Sequence, residues 1–191
     1  MKNFVFVLAT VYACIFNATA GEIATFNNVS VYQQWDNSWA DHRTLNISLV
    51  AIDNKKYLVF SLETILGYRK VNLKYTPETK NQLFALLKKS KEWMTIAKEK
   101  HLDTNKVVGC LSDNNLPCEN QKNNFLKFMF LSYEKGENTV IKVTFVDEIK
   151  HHQMFTLWDH NIRWLLDNLD YMSNKAIAEI DTQIENEKYF K

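Results

Sequence analysis

The chain has 191 residues, with 23 lysines and arginines against 22 aspartates and glutamates and a formal net charge of +1. So even a balance lacks the basic field that releases counterions from phosphates, which argues against a dedicated nucleic-acid binder. Four glycines, two prolines and no Ser/Gly or Pro tract leave no linker and no disordered tail, and the length suits one domain with its own core.

Residues 1–20 have the parts of a cleavable secretory signal in the required order. Lys2 gives the positive end, Phe4 to Phe16 form an apolar run broken by Thr10, and Ala18-Thr19-Ala20 is a small-x-small cleavage pattern. The run is shorter than the ~20 apolar residues that span a bilayer, so cleavage after Ala20 is expected over anchoring. Val11-Tyr12-Ala13-Cys14 loosely resembles a lipidation box, but Tyr12 is bulky there and Ile15-Phe16 continue the apolar run. The mature chain, 21–191, would be a single domain in the periplasm or outside the cell, without a membrane span, and loss of Lys2 would leave 22 basic against 22 acidic residues.

From Ile23 to Trp35 the pattern is β-rich, consistent with one strand or two short ones. The following stretch, Gln34 to Arg43, crowds Trp35, Asp36, Trp39, Asp41 and His42 into what reads as a loop between strands. Indoles beside carboxylates can stack on a sugar or a cation, so these five residues are the candidate ligand or partner surface. The competing reading is packing: the indoles lid the sheet and the acids bond to turns.

Thr44 to Ile52 alternates cleanly, Asp53-Asn54-Lys55 supplies a turn and Tyr57 to Leu62 returns, which makes a hairpin. A short strand at Val71 to Tyr75 leads to a helix over 77–101, with Thr76 as N-cap, Pro77 at its first position and Leu83, Leu87, Met94 and Ala97 at helical spacing. Cys110 and Cys118 flank a polar, turn-rich segment; in an oxidising compartment they are expected to pair as a structural disulfide, since no Cys-x-x-Cys redox motif is present.

Phe125 to Tyr133 and Val140 to Val146 flank a turn at 134–138 and form the clearest hairpin. A strand near Gln153 to Trp158 precedes a long helix marked by Ile162, Leu165, Leu166, Leu169, Met172, Ile177, Ile180 and Ile184. The fold class is therefore α+β: an antiparallel β-sheet with two amphipathic helices packed on one face, in a single domain.

No chemistry-bearing motif stands out. His151 and His152 are neighbours in a strand and point apart, and His160 has no partner at ligand spacing, so no metal site or cofactor is expected. No glycine flanks a serine as in a nucleophile elbow, and with 22 acids any carboxylate pair would be arbitrary. The first helix is lysine-rich (Lys80, Lys88, Lys89, Lys91, Lys98, Lys100) and the last is acidic; two complementary neighbours, or a basic face for an anionic membrane, are the alternatives. The end from Asp181 to Lys191 reads as a segment that either protrudes for docking or fits on the sheet. Two sequons, at Asn28 and Asn46, lie in strands and are read as coincidental.

The residues thus lead to an exported, non-enzymatic binding or interaction protein whose partner is an unknown protein or small molecule. The alternatives are a small secreted hydrolase or carbohydrate-acting enzyme using Trp35 to His42, and an envelope protein docking through its lysine-rich helix.

Overall fold

A computed structural model describes residues 19–33, 37–53, 55–65, 67–114 and 116–190. The elements, in chain order, are strands β1 (Thr19–Gln33), β2 (Ser38–Ile52), β3 (Lys55–Thr64) and β4 (Gly67–Lys74), helix α1 (Pro77–Lys100), strands β5 (Thr104–Leu111), β6 (Phe125–Tyr133), β7 (Asn138–Val146) and β8 (His152–Leu157), and helix α2 (Asp159–Glu187). The eight strands form one antiparallel sheet in the order β4-β3-β2-β1-β8-β7-β6-β5. It is two four-stranded meanders, each followed by a helix, joined where the first strand of one meets the last of the other. The molecule is a single α+β domain.

Alternation makes the sheet. Leu45, Ile47, Leu49 and Ala51 of β2, Leu58, Phe60 and Leu62 of β3, and Ile141, Val143 and Phe145 of β7 are buried, with less buried residues between them. The β2–β3 turn holds Asp53 at φ 50°, and Gly136 in the β6–β7 turn stands at φ 79° with its Cα side against the carbonyl of Ala97.

Helix α1 starts as expected: the Thr76 hydroxyl accepts from the N–H of Thr79 at 3.1 Å, and Pro77 needs no intrahelical donor partner. It ends at His101, in the left-handed region with φ 52°, where Leu102 N–H donates to the Ala97 carbonyl. Its buried stripe, Leu83, Leu86, Leu87, Ser90, Met94 and Ala97, packs on β5, β6 and β7. The stripe of α2 is Ile162, Leu165, Leu169, Ser173, Ala176 and Ile180, facing β1 and β2.

Ser173 and Ala176 are small because α2 crosses β1 at Gly21, where a Cβ would lie 2.6 Å from the Ala176 Cα. Ser173 satisfies its hydroxyl on the Leu169 carbonyl at 2.5 Å, so a polar residue sits there without loss. The helices also meet each other: Lys80 reaches Asp170 at 2.6 Å, and Lys91 pairs with Asp159. The basic and acidic helices are thus neighbours with complementary charge.

The first meander curls until β4 crosses the ends of β5, β6 and β7. Arg69 lies 4.0 Å from Asp147, just past β7; the Asn72 N–H donates to Asn124 Oδ1 at 3.0 Å, just before β6; and the Lys74 N–H donates to Asp113 Oδ1 at 2.6 Å, just past β5. Asn124 also donates from its Nδ2 to the Asn72 carbonyl, so one side chain pairs with both polar groups of a free strand edge. Cys110 and Cys118 are bonded, with Cα atoms 5.4 Å apart, and pin the loop that carries Asp113.

The far end of α2 is docked on the body through Ile184. Ile180 is fully buried, Ile184 packs on the core, and Lys56 holds Asp181 at 2.7 Å; beyond them Tyr189 is 81% exposed.

Candidate functional site

Of the five residues read as a candidate surface, Trp35 and Asp36 lie outside the described residues. The remaining three are not in a loop: Ser38 already pairs with Gln33, and Trp39 pairs with Tyr32, so Trp39, Asp41 and His42 belong to β2. The alternation that marks Thr44 to Ile52 does not reach them because the ladder is interrupted. Between the pairs Val29–Arg43 and Val31–Ala40, Asp41 and His42 together oppose Ser30, which is a β-bulge.

Trp39 is 38% exposed and packs edge-on to Tyr32, with ring centroids 5.4 Å apart. The ammonium of Lys142 stands over its ring at 5.0 Å, so the cation it can attract is one the chain itself supplies. The Tyr32 hydroxyl donates to Asn37 Oδ1 at 2.8 Å, and the Gln153 amide donates to the Tyr32 carbonyl, which ties this cluster to β8.

A second bulge lies one step back, on β1. Between Phe26–Leu45 and Val29–Arg43, Asn27 and Asn28 together oppose Thr44, and Asn28 adopts φ 62°, a conformation that asparagine tolerates better than most residues. On its other side β1 is paired to β8 only at Val31 and Tyr32. The two strands therefore part just where the bulge falls, and the chain leaving β8 turns into the first residues of α2. The gap is a crevice of about 360 Å³ lined by Asn27, Asn28, Val29, Trp158, His160 and Asn161.

The floor of the crevice is fixed. Val29 and Asn161 are 3% and 7% exposed, and Asn161 Oδ1 accepts from the Trp158 N–H at 2.9 Å, capping α2 and fixing the backbone that carries the indole. Thr44 Oγ1 donates to Asn27 Oδ1 at 3.4 Å, steadying the bulge from β2. Trp158 is 38% exposed, and Asn27, Asn28 and His160 are exposed.

Among the described residues the lining carries no carboxylate, lysine or arginine. The nearest acid in sequence, Asp159, is held by Lys91 and by Arg163 at 2.6 Å. Partial burial pushes its carboxyl up, but the bonds from Lys91 and Arg163 outweigh that and hold it below the ordinary aspartate value, so it is a structural anion. Chemically the crevice offers carboxamides, an imidazole and an indole, a set suited to hydrogen bonding and stacking.

The sequence contains this site as an Asn27-Asn28 doublet interrupting a β-rich run and as Trp158 at a strand-to-helix junction. Neither is separable by pattern from ordinary turn chemistry, and the two are 130 residues apart in the chain. A smaller groove of about 200 Å³ lies between α1 and β5, between Trp93, Ile96, Leu102 and Phe130, and is mainly apolar.

The histidines take separate places. His151 donates from its backbone N–H to Asp147 Oδ1 at 2.8 Å, His152 begins β8, and His160 is in the crevice. No group of three His, Cys, Asp or Glu that could hold a metal occurs among the described residues. Likewise, no helix among them is long and apolar enough to cross a membrane.

Fold and crevice together define an antiparallel α+β domain with a surface cleft whose described lining is amide, imidazole and indole, over Val29. No family model, no curated protein and no solved structure matches the chain.

Proposed function

We propose that the chain is an exported, non-enzymatic binding domain whose ligand sits in the crevice between β1, β8 and α2. Export rests on the leader-like residues 1–20 and places the domain in the periplasm or outside the cell, with both helices on the same face of the sheet and the leader removed after Ala20. The disulfide agrees with an oxidising compartment. The observation that carries the binding reading is the crevice lining: exposed carboxamides and an imidazole around a buried floor of Val29 and Asn161, beside an exposed indole.

The alternatives have less support. For an enzyme at Trp35 to His42, Trp39 is engaged by Tyr32 and Lys142. For membrane docking, Lys80 and Lys91 pair with α2 and Lys89 donates to the Val108 carbonyl at 2.9 Å, which removes three of the six lysines from a free basic face.

The test is amide NMR of the labelled mature protein titrated with a small-molecule extract of the envelope of the producing cell. Saturable shifts at 27–29 and 158–161 are expected. Saturable shifts confined to other surfaces, or none anywhere, would overturn the reading.

A further inference from the structure

Resting on the crevice as the ligand site, we propose that what it takes is a neutral saccharide ring, stacked on the indole of Trp158 and hydrogen-bonded by Asn27, Asn28 and His160. Three features of the lining lead there. First, among the described residues that line it there is no carboxylate, lysine or arginine to pair with a phosphate, a carboxylate or an ammonium group, and a charged ligand gives up hydration on entering. Second, four of its six described residues are asparagines or histidine, and among these six Val29 and Trp158 supply the apolar surface. A flat aromatic ligand needs apolar walls on both faces, and here one face would rest against amides.

Third, the polar groups match hydroxyls. A carboxamide presents an acceptor and two donors from one plane, a neutral imidazole one of each, and a sugar hydroxyl is at once donor and acceptor. The indole supplies what amides lack: an apolar platform with a negative face, on which the polarised C–H groups of a pyranose ring can lie. The volume, about 360 Å³, is near the small end of the ~300–1,000 Å³ range of ligand pockets, which suits a ring or two and not a long polymer. The buried floor of Val29 and Asn161 and the Asn161 bond to the Trp158 N–H fix the backbone from which the indole projects, so less chain remains to be ordered on binding.

The experiment is the same amide NMR on the full mature chain, with maltose, cellobiose and N,N′-diacetylchitobiose as sugar probes, and with adenosine, benzoate, inorganic phosphate and spermidine as probes of other chemistry. At least one disaccharide is expected to shift the amides of 27–29 and 158–161 saturably. Trp158→Ala is expected to weaken that binding by roughly ten-fold or more, Trp158→Phe by only about three-fold, and Trp39→Ala not at all. Asn27→Ala, on the exposed bulge, serves as the second variant if Trp158→Ala does not fold, and is expected to weaken binding by about three-fold or more.

Sugar binding that is indifferent to Trp158 and Asn27 would overturn the proposal. So would shifts of these amides by another probe with none from any sugar, but that result would leave the crevice standing as the binding site. If neither the probes nor the envelope extract move these amides, the saccharide and the binding reading fall together.

Discussion

Asn124 shows how much one side chain can do at a sheet edge. Its backbone stands at φ 52°, and its carboxamide covers both the N–H and the carbonyl of Asn72, groups that would otherwise face the ends of β5 to β7 without a strand partner. Asn124→Ala is expected to destabilise the fold by about 1–3 kcal/mol in urea unfolding, and Asn124→Asp, which keeps only the acceptor, by less. Asp159 gives a pH-dependent case. Its folded pKa is depressed, so its contribution is present above the pKa of the unfolded chain and is lost as pH falls through the lower native value. With 37% of its side chain exposed, the effect is screened; Asp159→Asn is expected to cost at most about 1 kcal/mol at neutral pH and to converge with the parent in acid, read by unfolding titrations at stepped pH. The sequence displays both residues, but not their roles, since Asn124 acts on a residue 52 positions away and Lys91 lies 68 positions from Asp159.

Among the elements, the closest approach is that of α2 to β1. A methyl group at Gly21 would collide with the backbone of Ala176, so Gly21→Ala must push the helix outward or bend the strand, with an expected loss of about 1–3 kcal/mol in thermal unfolding. Helix α2 was readable from its apolar spacing, but the stripe shown by spacing includes Met172 and Ile177, while the helix turns Ser173 and Ala176 to the crossing. Hydrophobicity marks a face only where there is room for a large side chain. The loop closed by Cys110 and Cys118 was readable too, because pairing across a short polar turn is local. Replacing both cysteines by serine is expected to cost about 2 kcal/mol, or about 4–8 °C in melting temperature, since closing so short a loop removes little chain entropy.

For the whole molecule, the proposal of export has its own check. Protein recovered from the medium or envelope of the producing cell is expected to begin at Gly21 on N-terminal sequencing, and a chain retaining Met1 to Ala20 would refute removal of the leader. Helix pairing matters at this scale as well: Lys80 and Lys91 hold the α1 and α2 halves against each other, and because both pairs are partly exposed, their loss should loosen the junction by tenths of a kcal/mol each.

By itself, the sequence determined what short-range chemistry controls. The N-cap of α1, the alternation of β2, β3, β6 and β7, the turn that opens at Asp53 and the one at 134–138, the cysteine pair and the α+β class all follow from periodicity and turn residues within a few positions of one another. The tertiary structure decided what depends on partners distant in the chain: that β1 lies between β2 and β8, that β4 crosses the ends of three other strands, and that three register shifts interrupt the β1–β2 ladder. The candidate site belongs to this second group. It exists because β1 and β8 part beyond two residue pairs, and strand separation leaves no periodic mark in either strand: the crevice is bordered by β1 and by the start of α2, segments about 130 residues apart in the chain.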